Sequence, residues 1–95
     1  MIVFWSKRAL HDFDELAAYI AEQSEKSAAL VETRIRREAE LLSAFPLSGR
    51  VGQNPGTREP VVGRTPFILV YRVEAEQIRI LRVLRGARSW PGNLS

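Results

Sequence analysis

Hydrophobic and polar positions are most sharply patterned near the C-terminus. Phe67-Ile68-Leu69-Val70-Tyr71 is an unbroken apolar and aromatic run, the pattern of a strand covered on both faces. Ile78 to Arg85 is equally rich in β-branched and aliphatic residues, but arginine interrupts it at positions 79, 82 and 85. Burying an unpaired guanidinium is costly, so these three side chains are expected at solvent or against a partner. Glu74-Ala75-Glu76 separates the two runs and predicts a turn. The pair therefore reads as an antiparallel hairpin with Phe67–Val73 central.

Upstream the period changes from two to between three and four. Ile2 to Trp5 predicts a short strand, and Ser6 an N-cap. Ala9, Phe13, Leu16, Ala17 and Ile20 form one apolar stripe, so a helix is expected from Lys7 to about Gln23. Asp12, Asp14, Glu15 and Glu22 lie largely off that stripe. Gln23-Ser24-Glu25-Lys26-Ser27 is a polar connection in which Ser24 or Ser27 can cap a second helix. That helix reaches about Ala44 and stops before Pro46. Ala28, Val31, Ile35, Ala39 and Leu42 form its stripe. Glu32, Arg34, Arg36, Arg37, Glu38 and Glu40 form a charged face, which reads as solvated.

Pro46 to Gly56 contains two prolines and three glycines and reads as a loop. Thr57 to Val62 predicts a strand, with Pro60 placing it at an edge or an end. The expected order is β-α-α-β-β-β, an α+β fold in which a helical hairpin packs on an antiparallel meander of three strands. The first strand is expected beside either Thr57–Val62 or Ile78–Arg85. Leu16, Ile20, Val31, Ile35, Leu42, Phe67, Leu69, Val70, Ile78, Ile80 and Leu84 are the expected core.

Length and charge narrow the function. Ninety-five residues make one domain, residues 1–95. No run approaches the roughly 20 apolar residues of a membrane span, and Met1 to Trp5 does not form a signal peptide. A cytoplasmic protein is expected. With no cysteine and one histidine, His11, neither a zinc site nor a disulfide framework is expected, and no cofactor. Residues 1–56 carry seven Lys/Arg against eight Asp/Glu; residues 57–95 carry seven Arg against three Glu, a local balance of +4. Arginine in that density favours bidentate contact with carboxylate or phosphate.

Few catalytic constellations are available. No Walker-type phosphate loop occurs, and nucleophilic triads lack their base. RNA cleavage through the 2′-hydroxyl needs a base, cations and an acid. Glu59 could be the base, and Arg58, Arg64, Arg82, Arg85 and Arg88 the cations, but the acid has no evident bearer. Binding alone demands less.

Trp5-Ser6, Ala9, Asp12, Leu16, Tyr19-Ile20, Pro46, Gly49-Arg50, Gly52, Thr57-Arg58-Glu59, Val61-Val62, Val70-Tyr71-Arg72-Val73, Ile80 to Leu84 and Gly86-Ala87-Arg88, in that order and spacing, resemble the RelE/ParE superfamily of bacterial toxins. The resemblance implies the toxin of a type II toxin–antitoxin pair, neutralised by a cognate antitoxin in a hetero-oligomer. It implies one of two activities: inhibition of DNA gyrase in ParE-like members, or cleavage of mRNA in the ribosomal A site in RelE-like members. Glu59, Arg58 and Arg85 are catalytic candidates only on the second. Ile68 stands where nuclease members tend to place arginine, and Arg85 where relatives often carry histidine, so the ParE-like branch is expected. Arg82, Arg85, Arg88 and Trp90 are then the residues for the target, and Arg58, Arg64, Arg82, Arg85 and Arg88 those for the antitoxin. A non-toxic member of the fold is the remaining alternative.

Overall fold

The computed structural model describes residues 1–86. Its elements are β1 (Ile2–Trp5), α1 (Lys7–Ala21), α2 (Glu25–Ala44), β2 (Thr57–Arg58), β3 (Phe67–Glu74) and β4 (Gln77–Arg85). The four strands make one sheet in the order β1-β4-β3-β2. β3 is antiparallel to both neighbours, whereas β1 runs parallel to β4. The N-terminal strand thus flanks the arginine strand, and the helical hairpin is the long crossover that a parallel pair requires.

Both helices are capped as their sequences suggest. Ser6 Oγ accepts the Ala9 amide at 3.0 Å, and Ser24 Oγ accepts that of Ser27 at 3.1 Å. The apolar stripes meet the sheet through Ala9, Phe13, Ile35, Ala39 and Leu42, which share one buried cluster with Phe67, Leu69, Tyr71, Ile78, Ile80 and Val83. Alanines at 9 and 39 let helix backbones approach closely. Leu16, Ile20 and Val31 are half-buried and pack against the rim of that cluster, not inside it. Leu84 is also half-buried: it pairs with Ile68 and lies outside the helix-facing cluster.

β1 is short, and the edge of β4 needs another cover beyond it. Pairing ends at Trp5–Ile80. The Ser6 amide then donates to Ile80 O at 2.9 Å and Ser6 Oγ to Leu81 O at 3.1 Å. Register against β3 shifts here, so that Val70 opposes Arg82 and Tyr71 opposes Ile80, leaving Leu81 as the extra residue of a bulge. One turn into α1, the Asp12 carboxylate accepts the Val83 amide at 3.0 Å. Side chains of α1 thus satisfy backbone groups that a longer β1 would have paired.

The expected strand Thr57–Val62 is a strand only at Thr57–Arg58. Pro60 has no amide to give, and the Glu59 amide turns away to Arg50 O at 2.9 Å. The chain still follows β3, because Leu69 N donates to Pro60 O at 3.0 Å and Val61 bridges Ile68. Part of the supposed loop is also ordered as a small hairpin. Val51 bridges Arg58, and the Gly52 amide reaches Thr57 O at 2.8 Å. A Cβ at Gly52 would collide with Thr57 Oγ1, so only glycine fits there.

Candidate functional site

An open groove of about 700 Å³ separates β1 from the helical hairpin. Met1, Val3 and Trp5 form one wall, Leu10, Phe13 and Asp14 of α1 the second, and Arg36, Ala39, Glu40 and Ser43 of α2 the third. Trp5 meets Phe13 edge-on, with centroids 5.5 Å apart, and Arg36 lies over the Phe13 ring at 4.9 Å. Tryptophan and arginine in a preformed apolar groove are typical anchors of protein interfaces. Ser43 Oγ donates to Met1 O and the N-terminal ammonium donates to Ser43 O at 3.1 Å, which holds β1 under α2. Ile2 and Phe4, next along β1, are 66% and 46% exposed. The sequence places Trp5 at the end of the first strand and Phe13 on the apolar stripe of α1, and gives no sign of the groove between them, because a period does not show what lies beside a stripe.

The residues suited to RNA cleavage lie elsewhere and are engaged in the fold. Glu59 is 3% exposed, and its Oε2 accepts the Gln53 amide at 3.0 Å inside the small hairpin. Arg58 Nη1 donates to Leu47 O at 3.1 Å and Gly49 O at 2.7 Å. Its sheet partner Tyr71 donates to Pro46 O at 2.6 Å and accepts the Gly49 amide at 3.3 Å. Arg58 and Tyr71 together fasten the segment that follows α2.

The arginines expected to form one surface differ in what they bind. Arg82 binds Asp12 through Nε at 2.7 Å and Nη2 at 3.2 Å. That hydrogen bond raises the Arg82 pKa above its ordinary value, against a smaller lowering by burial. Asp12 is the residue that sequence reasoning overlooked. It borders the apolar stripe next to Phe13, and its presence in the family pattern was the available signal. Arg85 is exposed, its guanidinium 5.9 Å from the Phe67 ring centre. Arg64 lies in the turn before β3, where its carbonyl accepts Arg34 Nη1 at 3.3 Å. Arg88 and Trp90 lie outside the described residues. Among those residues, no cluster of three or more His, Cys, Asp or Glu could hold a metal ion, and no helix is long and apolar enough to cross a membrane.

Comparison with known proteins converges on one group. The family described as the ParE toxin of the type II toxin–antitoxin system parDE matches residues 3–90. Y4kP of Sinorhizobium fredii, which its name calls a candidate toxin, is 38% identical over 87 residues, covering 92% of this chain and 90% of that protein. Toxin RelE2 of Caulobacter vibrioides is 29% identical over 86 residues, covering 90% and 96%. Among solved structures, a chain of the chromosomal ParDE system of P. aeruginosa superposes with a TM-score of 0.80 at 28% identity, covering 90% of this chain and 96% of that one.

Proposed function

The chain belongs to the ParE toxin family of type II toxin–antitoxin systems, and from that premise we propose that it arrests growth by binding DNA gyrase until a cognate antitoxin covers it. The observation that carries the choice of a binder over a nuclease is the position of Glu59. A general base must reach the proton it abstracts, and this carboxylate is buried and holds the Gln53 amide. Ile68, where a phosphate-contacting arginine would be wanted, is buried in β3. Arg85 cannot serve as an acid, because guanidinium does not deprotonate in proteins. An exposed arginine on a rigid strand suits an interface anchor instead.

The antitoxin is assigned to the groove between β1 and the helical hairpin. Its apolar walls and the exposed Ile2 and Phe4 supply area for hydrophobic burial. One observation favours the alternative activity: the likeness to a protein named RelE2, which would make the chain a ribosome-dependent mRNA endonuclease. Protein freed of antitoxin decides between them in two assays, plasmid supercoiling by gyrase and mRNA cleavage on programmed ribosomes. Blocked supercoiling with intact mRNA is expected. Cleavage at the A site with normal supercoiling would overturn the gyrase reading.

A further inference from the structure

On the outer side of the molecule, Arg34, Arg37, Glu38 and Leu41 of α2 face the turn at Gly63 and Arg64 across a shallow hollow of about 320 Å³. The helical members fall at i, i+3, i+4 and i+7, one continuous stripe. We propose that this hollow is a second docking point for the antitoxin, one that receives a carboxylate side chain with an apolar neighbour. The inference rests on the reading of the chain as a toxin held by an antitoxin.

Three observations carry it. Among the described residues, the guanidiniums of Arg34, Arg37 and Arg64 have no ion-pair partner, unlike those of Arg36, Arg72, Arg79 and Arg82. Three unneutralised cations around one hollow favour an anion, and their forked donors suit a carboxylate. Second, Arg64 occupies the left-handed region with φ 61°. A long side chain there is disfavoured relative to glycine, and such strain concentrates where the side chain has a function. Arg34 Nη1 on the Arg64 carbonyl and Thr65 Oγ1 on the Val62 carbonyl at 2.8 Å hold the turn in place. Third, the floor is open and partly apolar. A Cβ at Gly63 would meet nothing within 4 Å, and Leu41 is exposed.

The same wall argues against a nucleic-acid backbone. Glu38 places a carboxyl in the hollow, which opposes a run of phosphates, and Leu41 offers a phosphate nothing. A single carboxylate beside one leucine-sized residue meets the three arginines and Leu41. The Glu38 carboxyl also opposes the incoming carboxylate, so removing its charge should tighten the complex.

The test uses the full chain and the antitoxin encoded beside it, with association and dissociation rates measured at low and high salt. Arg37→Ala and Arg64→Ala are each expected to weaken the complex about tenfold at low salt, mostly in association rate, with the difference shrinking at high salt. Glu38→Gln should strengthen it. Arg64→Gly should weaken it equally while leaving the melting temperature no lower than that of the parent, which a purely structural role for Arg64 does not give. Leu10→Glu, in the groove, is the control for the underlying reading. If it abolishes the complex while Arg37→Ala and Arg64→Ala bind as the parent does, the second docking point is wrong and the groove stands. If those two variants keep full antitoxin affinity but weaken binding of double-stranded DNA by the complex, the hollow takes phosphate and the inference is overturned. If the parent chain binds no antitoxin at all, both readings fall.

Discussion

Asp12 and Arg82 are joined by two hydrogen bonds, and the same carboxylate takes the Val83 amide. The Asp12 side chain is 9% exposed and that of Arg82 35%, so the two ends of the pair are not equivalent. Removing Asp12 strands a buried amide with no other strand beside it among the described residues. Removing Arg82 leaves a carboxylate that still has Val83. Asp12→Ala is therefore expected to cost about 2–3 kcal/mol and Arg82→Ala about 1 kcal/mol, read by urea unfolding of the purified chain. Equal costs would mean that the ion pair, not the amide cap, is what holds α1 to β4.

Tyr71 carries the second long-range anchor. Its hydroxyl both donates to Pro46 O and accepts the Gly49 amide, and it lies within the core cluster. Tyr71→Phe keeps the ring and removes only those two bonds. A loss of about 1–2 kcal/mol is expected, with faster amide exchange at Gly49 and readier proteolysis of residues 46–50. Unchanged exchange at Gly49 would leave Arg58 as the sole fastener of that segment.

Much of the architecture was legible because it rests on local signals. Ser6 and Ser24 announce the helix starts, the stripes announce their buried faces, and Phe67 to Tyr71 announces a strand covered on both sides. The parallel pairing of β1 with β4 was not legible, since either free edge satisfied the pattern. The break at Glu59-Pro60 was half visible: proline removes a donor, but the turn of the Glu59 amide toward Arg50 depends on a hairpin that forms only around glycine at 52. The candidate site was the least legible part. Counting arginines suggested one basic surface, yet Arg58 and Arg82 are bound to carbonyls and a carboxylate within the fold. Which cations remain available follows from tertiary contacts between residues up to 70 positions apart.

Glu38 makes a pH prediction with a definite sign. Burial pushes its carboxyl above the ordinary glutamate value. An acid whose folded-state pKa is raised favours folding when protonated. Its contribution is fully present below the unfolded pKa and is lost as pH rises through the folded one. Glu38→Gln should thus be at least as stable as the parent at neutral pH, and the two should converge as pH falls below the ordinary glutamate range. A variant less stable than its parent at neutral pH would show that the charged form makes a favourable contact.

The last prediction sets Arg85 against Glu59. Arg85 is exposed and rests near the Phe67 ring, a contact of roughly 0.5–1 kcal/mol at such a site, so Arg85→Ala should fold normally. If it anchors the gyrase interface, inhibition of supercoiling should weaken about thirtyfold, the effect of a hot-spot residue. Glu59→Gln keeps an oxygen for the Gln53 amide and removes the charge, a cost of about 1–3 kcal/mol. As a binder the chain should then keep its toxicity per folded molecule. As a nuclease with Glu59 for its base, the Gln variant should lose about 10²–10⁴ in cleavage rate and growth should recover. Growth curves after induction of each variant, with soluble yield and melting temperature measured on the same samples, separate the outcomes. Recovery on Glu59→Gln, with Arg85→Ala still toxic, would replace the gyrase reading with mRNA cleavage.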